Sequence, residues 1–139
     1  MPATTTQNET ELARLPIARI QDVLLIRMVV REEGTRLGFA PQALTRIATA
    51  VSEITRNVVQ HSGGTGQARI LEVTEPGRRG LRISVEDGGA GIADLDRALA
   101  GVSPGAGIPG CRKLMDDFAI SSKPGAGTTV TMKKWLPST

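Results

Sequence analysis

Disulfides, cysteine-built zinc sites and aromatic stacking surfaces are all missing from this 139-residue chain. It holds one cysteine, Cys111, no tyrosine, and only three aromatic side chains, Phe39, Phe118 and Trp135. A lone cysteine closes no internal disulfide and builds no cysteine zinc site, and Cys111 reads as a small buried hydrophobe. Three scattered aromatics leave no platform on which single-stranded nucleic acid could stack. No apolar run approaches the ~20 residues of a membrane span, and the N-terminus lacks the charged-then-apolar order of a signal peptide. A cytosolic protein with neither nucleic-acid nor membrane partners is therefore expected. Neither sign of charge dominates, since 17 Lys and Arg against 14 Asp and Glu leave a formal net charge of +3. No basic run is longer than Arg78-Arg79 or Lys133-Lys134. So small an excess suits an anionic small ligand or an acidic partner, or carries no message.

What the chain does have is length for one cored domain and strong local punctuation. Residues 1–10 are small and polar and read as a disordered leader, with a single domain over 11–137. Residues 12–20 alternate well enough for a strand, and Pro16 makes it an edge strand. A helix follows over 22–37, with Asp22 as its N-cap and Gly38 as its stop. Its residues Val23, Leu24, Leu25, Ile26, Met28, Val29 and Val30 cover nearly every side, which predicts one heavily buried turn. No exposed apolar stripe demands pairing of two copies, so monomer and homodimer both stay open.

Pro41 opens a second helix, in which Leu44, Ile47, Ala48, Val51, Ile54, Val58 and Val59 recur at three- and four-residue steps. That is a core stripe. Glu53 and Asn57, four apart, project from one face about a turn from each other. The helix ends near His61-Ser62-Gly63-Gly64, with His61 read as a packed helix-end residue. Strands over 67–74 and 81–85 flank a turn at Glu75-Pro76-Gly77.

The second of these strands runs into Val85-Glu86-Asp87-Gly88-Gly89-Ala90-Gly91-Ile92, an aspartate followed by three glycines in four positions. By itself this is either a flexible hairpin loop or a strand-end glycine loop that cradles phosphate. One or two helical turns are expected over 94–99. A second loop, 101–110, leads to a helix at 111–117 and strands at 118–122 and 128–135. There is no internal repeat. The order β-α-α-β-β-(α)-α-β-β makes an α/β (α+β) two-layer sandwich, a mixed, mostly antiparallel sheet covered by helices on one face.

Four signals stand in order: Glu53-x-x-x-Asn57 on a helix, Asp87-x-Gly89-x-Gly91, Gly105-x-Gly107, and Gly127-Thr128. Each alone is ordinary, a solvated helix face or a glycine turn. Together they resemble the nucleotide-binding boxes of the GHKL (Bergerat-fold) ATPases and kinases. Histidine kinases carry a phospho-accepting helical hairpin and usually a phenylalanine-rich box, and neither is present. Gyrase, Hsp90 and MutL need far longer chains. The small stand-alone group remains, the anti-sigma-type serine/threonine kinases that phosphorylate STAS-domain proteins. Ser52-Glu53-Ile54-Thr55-Arg56-Asn57, the stretch Ala106-Gly107-Ile108-Pro109-Gly110-Cys111-Arg112-Lys113-Leu114-Met115-Asp116-Asp117-Phe118, and the tail from Pro124 to Trp135 are most similar to the stressosome switch kinases. The likeness spans roughly residues 12–135.

The resemblance implies ATP and Mg²⁺ as cofactors. Asn57 would supply one amide oxygen to Mg²⁺, which keeps several waters and takes few protein ligands. Glu53 would accept the proton of an attacking serine or threonine hydroxyl. Asp87 would accept a hydrogen bond from the exocyclic amine of adenine, which a guanine cannot offer there. Thr128 would reach the same adenine, commonly through water. Gly89, Gly91 and Ile92 would lie around base and ribose, and Gly105, Ala106, Gly107, Ile108 and Gly110 around the phosphates. Pro109 stands where many relatives have another glycine and removes one amide there. Arg56, Arg112 and Lys113 are either partners of the γ-phosphate or ordinary surface cations.

The implied function is an ATP-dependent protein serine/threonine kinase of a bacterial partner-switching system. Its partners would be STAS-domain substrates, with a downstream phosphatase or sigma-factor regulator as a second, activated partner. An ATP-switched anti-sigma factor is the alternative. A nucleotide-gated adaptor without turnover is disfavoured by the intact Glu53.

Overall fold

The computed structural model describes residues 8–61, 66–88, 108–123 and 127–137. Five strands and three helices lie along them. The order is β1 (Asn8–Ile17), α1 (Ile20–Leu37), α2 (Pro41–His61), β2 (Gly66–Glu75), β3 (Arg78–Asp87), α3 (Ile108–Leu114), β4 (Asp117–Lys123) and β5 (Gly127–Trp135). The strands lie in one sheet, β1-β2-β3-β5-β4. All four of its pairings are antiparallel, so the sheet is not mixed among the described residues. β1 begins at Asn8, inside the stretch read as leader, because Asn8 to Thr10 pair with Thr74 to Glu72 of β2. Pro16 is tolerated because β1 is the edge strand of the sheet formed by the described residues. The turn between β2 and β3 uses Pro76, which presets its own φ, and Gly77, which supplies φ +83°. The helical turns expected over 94–99 lie outside the described residues.

Period-two alternation sorts the sheet into two faces. Ala68 and Ile70, Ile83 and Val85, and Val130 and Met132 point to one face. There they join Ile47, Val51 and Ile54 of α2, Ile26 and Val30 of α1, and Cys111 and Met115 of α3 in one buried cluster. The helices therefore cover a single face. The other face buries Leu71 and Val73 beneath ion pairs, with Arg69 Nε 2.7 Å from Glu11 Oε1 and Arg82 paired to Glu9. Near one end of that face the Arg78 guanidinium lies 3.7 Å over the Trp135 ring, and Gly80 leaves the ring its room.

α1 differs from expectation at both its start and its outer face. It begins at Ile20, two residues early, because Asp22 serves the third helical position rather than the cap. Asp22 Oδ2 accepts the backbone N–H groups of Ala18 at 2.8 Å and Arg19 at 2.9 Å. These two bonds hold its carboxyl below the usual aspartate range. Gly38 ends the helix as expected, at φ 105°, donating to the carbonyls of Gly34 and Thr35. The apolar run is not buried all round. Val23, Ile26, Val30, Gly34 and Leu37 form the buried stripe, while Ile20, Leu24, Leu25 and Met28 are 42–54% exposed. α1 packs through one stripe only, and that leaves an apolar outer face the sequence pattern hides. The closest part of its seat on α2 is Gly34, where an added Cβ would come within 2.5 Å of Leu44 Cδ2.

The lowered pKa of Asp22 links helix start to pH. Its stabilising effect is complete above the ordinary aspartate pKa of about 3.9 and is lost as pH falls through the lowered folded-state value. Asp22→Ala should thus reduce stability in urea melts at pH 7, and the gap to the parent protein should close in strong acid. An equal gap at every pH would show that the carboxylate is not what holds the turn.

Candidate functional site

The amphipathic pattern of α2 decides which side chains reach a shared cleft. Burying Ile47, Val51, Ile54 and Val58 turns Glu53 and Asn57 to an adjoining, half-buried flank. There Arg56 Nη1 donates to Glu53 Oε1 at 3.1 Å, across one turn of the helix. α3 packs beside the same flank. The Cys111 thiol donates to the Ala50 carbonyl at 3.6 Å. Burial pushes that thiol up to about 12, and the Glu53 carboxylate nearby pushes it the same way. Cys111 is thus the buried hydrophobe expected, and it packs on α2 three residues before Glu53.

α3 itself starts at Ile108 rather than Cys111, so Gly110 belongs to the helix and not to the loop before it. Pro109 explains the early start, since its φ is preset for a first helical turn and its missing N–H has no intrahelical use there. Arg112 and Lys113 are exposed in the last turn. Gly89, Gly91, Ile92, Gly105, Ala106 and Gly107 lie outside the described residues.

A second set of residues forms a row across one end of the sheet. Gly66 of β2 pairs with Asp87 of β3, Asp87 with Thr128 of β5, and Thr128 with Ser122 of β4. Each lies two residues beyond a side chain of the buried cluster or one packed on it, namely Ala68, Val85, Val130 and Ile120. The row therefore points to the helix-bearing face. Directly opposed residues bring their Cβ atoms to about 5 Å, so the Asp87 and Thr128 side chains leave the sheet as neighbours. Thr128 is buried, and its Oγ1 lies 2.8 Å from Ser122 Oγ.

Two glycines let the row close up. A Cβ on Gly66 would stand 2.8 Å from Val58 Cγ1, so the end of α2 presses onto the sheet one residue after Asn57. A Cβ on Gly127 would stand 2.1 Å from the Asp87 carbonyl oxygen, and Gly127 also has φ +82°. Only glycine meets both demands. The Glu53–Asn57 flank and the Asp87–Thr128 row are thereby held at one end of the molecule. Ser122 is the member that motif reading passes over. Counting back across the β4–β5 hairpin from Thr128 would have found it, because hairpin register alone sets it opposite.

The chemistry of these groups fits an adenine nucleotide with Mg²⁺. Asp87 is a hydrogen-bond acceptor backed by a buried hydroxyl, which suits an amino-bearing base. Among the described residues no three His, Cys, Asp or Glu side chains gather. Mg²⁺ bound through phosphates needs only one or two protein oxygens, and the amide oxygen of Asn57 is one of the right hardness.

The chain is similar to known ATPase and kinase proteins over most of its length. The family model described as "Histidine kinase-like ATPase domain" matches residues 17–134. The chain is 39% identical over 120 residues to the serine/threonine-protein kinase RsbT of Bacillus subtilis, covering 83% of this chain and 90% of that one. It is 28% identical over 131 residues to the anti-sigma F factor of Clostridium novyi, covering 88% and 92%. Among solved structures, the RsbU and RsbW domains of a Mycobacterium tuberculosis protein superpose with TM-score 0.57 at 20% identity. That match takes in 99% of this chain and 34% of the longer one. The blue-light activated histidine kinase of Erythrobacter litoralis superposes with TM-score 0.53 at 22% identity, over 83% of this chain and 59% of that one. These two likenesses concern the fold.

The tight contact at Gly127 is directly testable. Gly127→Ala should cost more than about 1 kcal/mol in denaturant melts, through left-handed backbone strain alone, with a further cost from the Asp87 carbonyl. A neutral result would mean that β5 enters the sheet without that close approach.

Proposed function

The chain belongs to the histidine kinase-like ATPase family, and from that premise we propose that it is an ATP- and Mg²⁺-dependent protein serine/threonine kinase. Its substrates are STAS-domain proteins of a bacterial partner-switching system. Identity to a named serine/threonine kinase over most of both chains supports the activity. The single observation that carries the chemistry is the position of Glu53. It sits on α2 one turn before Asn57, and Val58 of the same helix presses onto Gly66, the cross-strand partner of Asp87.

In this reading Asp87 and Thr128 bind the base, and Gly89, Gly91 and Ile92 surround it and the ribose. Gly105, Ala106, Gly107, Ile108 and Gly110 take the phosphates, and Asn57 gives its amide oxygen to Mg²⁺, which neutralises phosphate charge when bound. Glu53 accepts the proton of the substrate serine or threonine hydroxyl as that oxygen displaces ADP from the γ-phosphoryl group. Arg56 holds the Glu53 carboxylate from one turn away, which keeps it oriented along the helix flank. Such general-base assistance contributes roughly 10²–10⁴ in rate, and positioning carries most of the remainder. When released from its STAS scaffold, the kinase would bind and activate a downstream phosphatase or sigma-factor regulator. No described helix is long and apolar enough to cross a membrane.

A second reading, an anti-sigma factor that holds a sigma factor in an ATP-dependent manner, is favoured by the likeness to anti-sigma F factors over 88% of the chain. Incubation with labelled ATP, Mg²⁺ and the STAS-domain proteins encoded beside it separates the two. Label should appear on a STAS serine or threonine, and Glu53→Ala should lower transfer by roughly 10²–10⁴ while ATP still binds. No transfer to any neighbouring STAS protein, with tight co-purification of a sigma factor, would overturn the kinase reading.

Asp87→Asn tests the base site separately. It should abolish ATP binding in calorimetry while leaving the circular dichroism spectrum and melting midpoint close to those of the parent. Unchanged affinity would remove Asp87 from the site.

A further inference from the structure

The outer ridge of α2 carries one charged group that the proposed chemistry leaves unused. Arg46, Thr49, Glu53 and Arg56 follow one another at three- and four-residue steps, on the side of the helix away from buried Ile47, Val51 and Ile54. Arg46 is exposed and is the only charged residue between Pro41 and Ser52. Positions 42, 43, 49 and 50, one turn to either side of it, hold glutamine, alanine, threonine and alanine, so its own helix offers it no acid. None of the ion pairs among the described residues includes Arg46. The hydroxyls of Thr45 and Thr49 beside it are turned back to their own helix, donating to the carbonyls of Pro41 at 3.1 Å and Thr45 at 2.8 Å. α3, packed on α2 through Cys111, adds exposed Arg112 and Lys113 and has no acid of its own. The surface leading up to Glu53 is therefore charged with one sign.

We propose that Arg46 is a substrate-binding residue, which pairs with an aspartate or glutamate about three positions from the accepting serine or threonine of the protein substrate. The inference rests on the reading that Glu53 takes the proton of that hydroxyl. Seven residues of helix separate Arg46 from Glu53, which is two turns, so the two lie on one side and about 10 Å apart along the axis. A polyproline-like segment advances ~3.1 Å per residue and returns to the same side every third residue. With its acceptor at Glu53, such a segment brings the residue three positions away over Arg46. The other end of the helix sets the direction. Val58, next to Asn57, presses onto Gly66, the cross-strand partner of Asp87, and the nucleotide lies on that side in the proposed reading. The substrate segment then leaves Glu53 toward the start of α2, across Thr49 and onto Arg46. A guanidinium there offers a fork of donors to a carboxylate and repels a basic segment, so it selects as well as anchors.

The test uses the full chain, labelled ATP, Mg²⁺ and whichever neighbouring STAS-domain protein accepts label from the parent. Arg46→Gln should raise KM for that protein roughly 3- to 30-fold, with kcat and ATP affinity close to the parent values. Each aspartate or glutamate within four residues of the acceptor is then changed in turn to its amide. One of these changes should raise KM to a similar extent with the parent and have no further effect with Arg46→Gln. Lysine at that same substrate position should restore transfer by Arg46→Glu, a rescue that a merely structural arginine would not give. An unchanged KM in Arg46→Gln, an equal loss of ATP affinity, or the lack of any substrate acid coupled to Arg46 overturns the proposal. If the parent labels no STAS protein, or Glu53→Ala labels as fast as the parent, the reading of Glu53 fails and this inference with it. Loss of transfer in Glu53→Ala with an unchanged KM in Arg46→Gln refutes the role of Arg46 alone.

Discussion

Burial of one stripe of α2 on the sheet is the constraint from which the rest of this molecule follows. Ile47, Val51, Ile54 and Val58 are each no more than 4% exposed, and they meet Ile70, Ile83 and Met132, which are wholly buried. At roughly 25 cal/mol per Å² of apolar surface, side chains of this size each contribute about 1.5–3 kcal/mol before entropy is counted. Among the described residues the surface ion pairs contribute less, since exposed pairs are typically worth less than about 1 kcal/mol each. The hydrophobic stripe therefore sets the rotation of α2, and the rotation sets where Glu53 and Asn57 point. The functional flank is a by-product of core packing.

A second constraint acts at right angles to the first. The sheet's register decides which polar groups meet under the end of α2, and a slip of one residue would send Asp87 and Thr128 to the opposite, ion-paired face. Gly127 and Gly66 prevent such a slip by close approach, one against the Asp87 carbonyl and the other under Val58. Both glycines lack a side chain where any side chain would collide. Backbone contact thus does at the sheet end what apolar packing does in the middle.

α1 shows where a periodicity argument goes astray. Seven apolar residues in eight positions, Val23 to Val30 less Arg27, suggest burial on every side. Yet Leu24, Leu25 and Met28 stay exposed because the helix has one neighbouring layer to pack on, not two. Hydrophobicity states that a side chain gains by being covered, and it does not state that a cover exists. Similarly, Pro109 reads equally well as loop or first helical turn, and in the structure it sits in the first turn of α3, which starts at Ile108.

By itself the sequence determined the element types, the edge position of β1 through Pro16, the Gly38 stop, and the pairing of Glu53 with Asn57 on one helix flank. These depend on short-range geometry, on φ preferences and on helical and strand periods, all of which are local to the chain. The order of the four motifs was also enough for the family to be recognised. Only the tertiary structure decided that Arg56 engages Glu53, that Cys111 bonds to the Ala50 carbonyl of α2, and that Ser122 meets Thr128 at the end of a row through Asp87. These are outcomes of rotamer choice, helix rotation and strand register. Each is fixed by groups far apart in sequence competing for the same space.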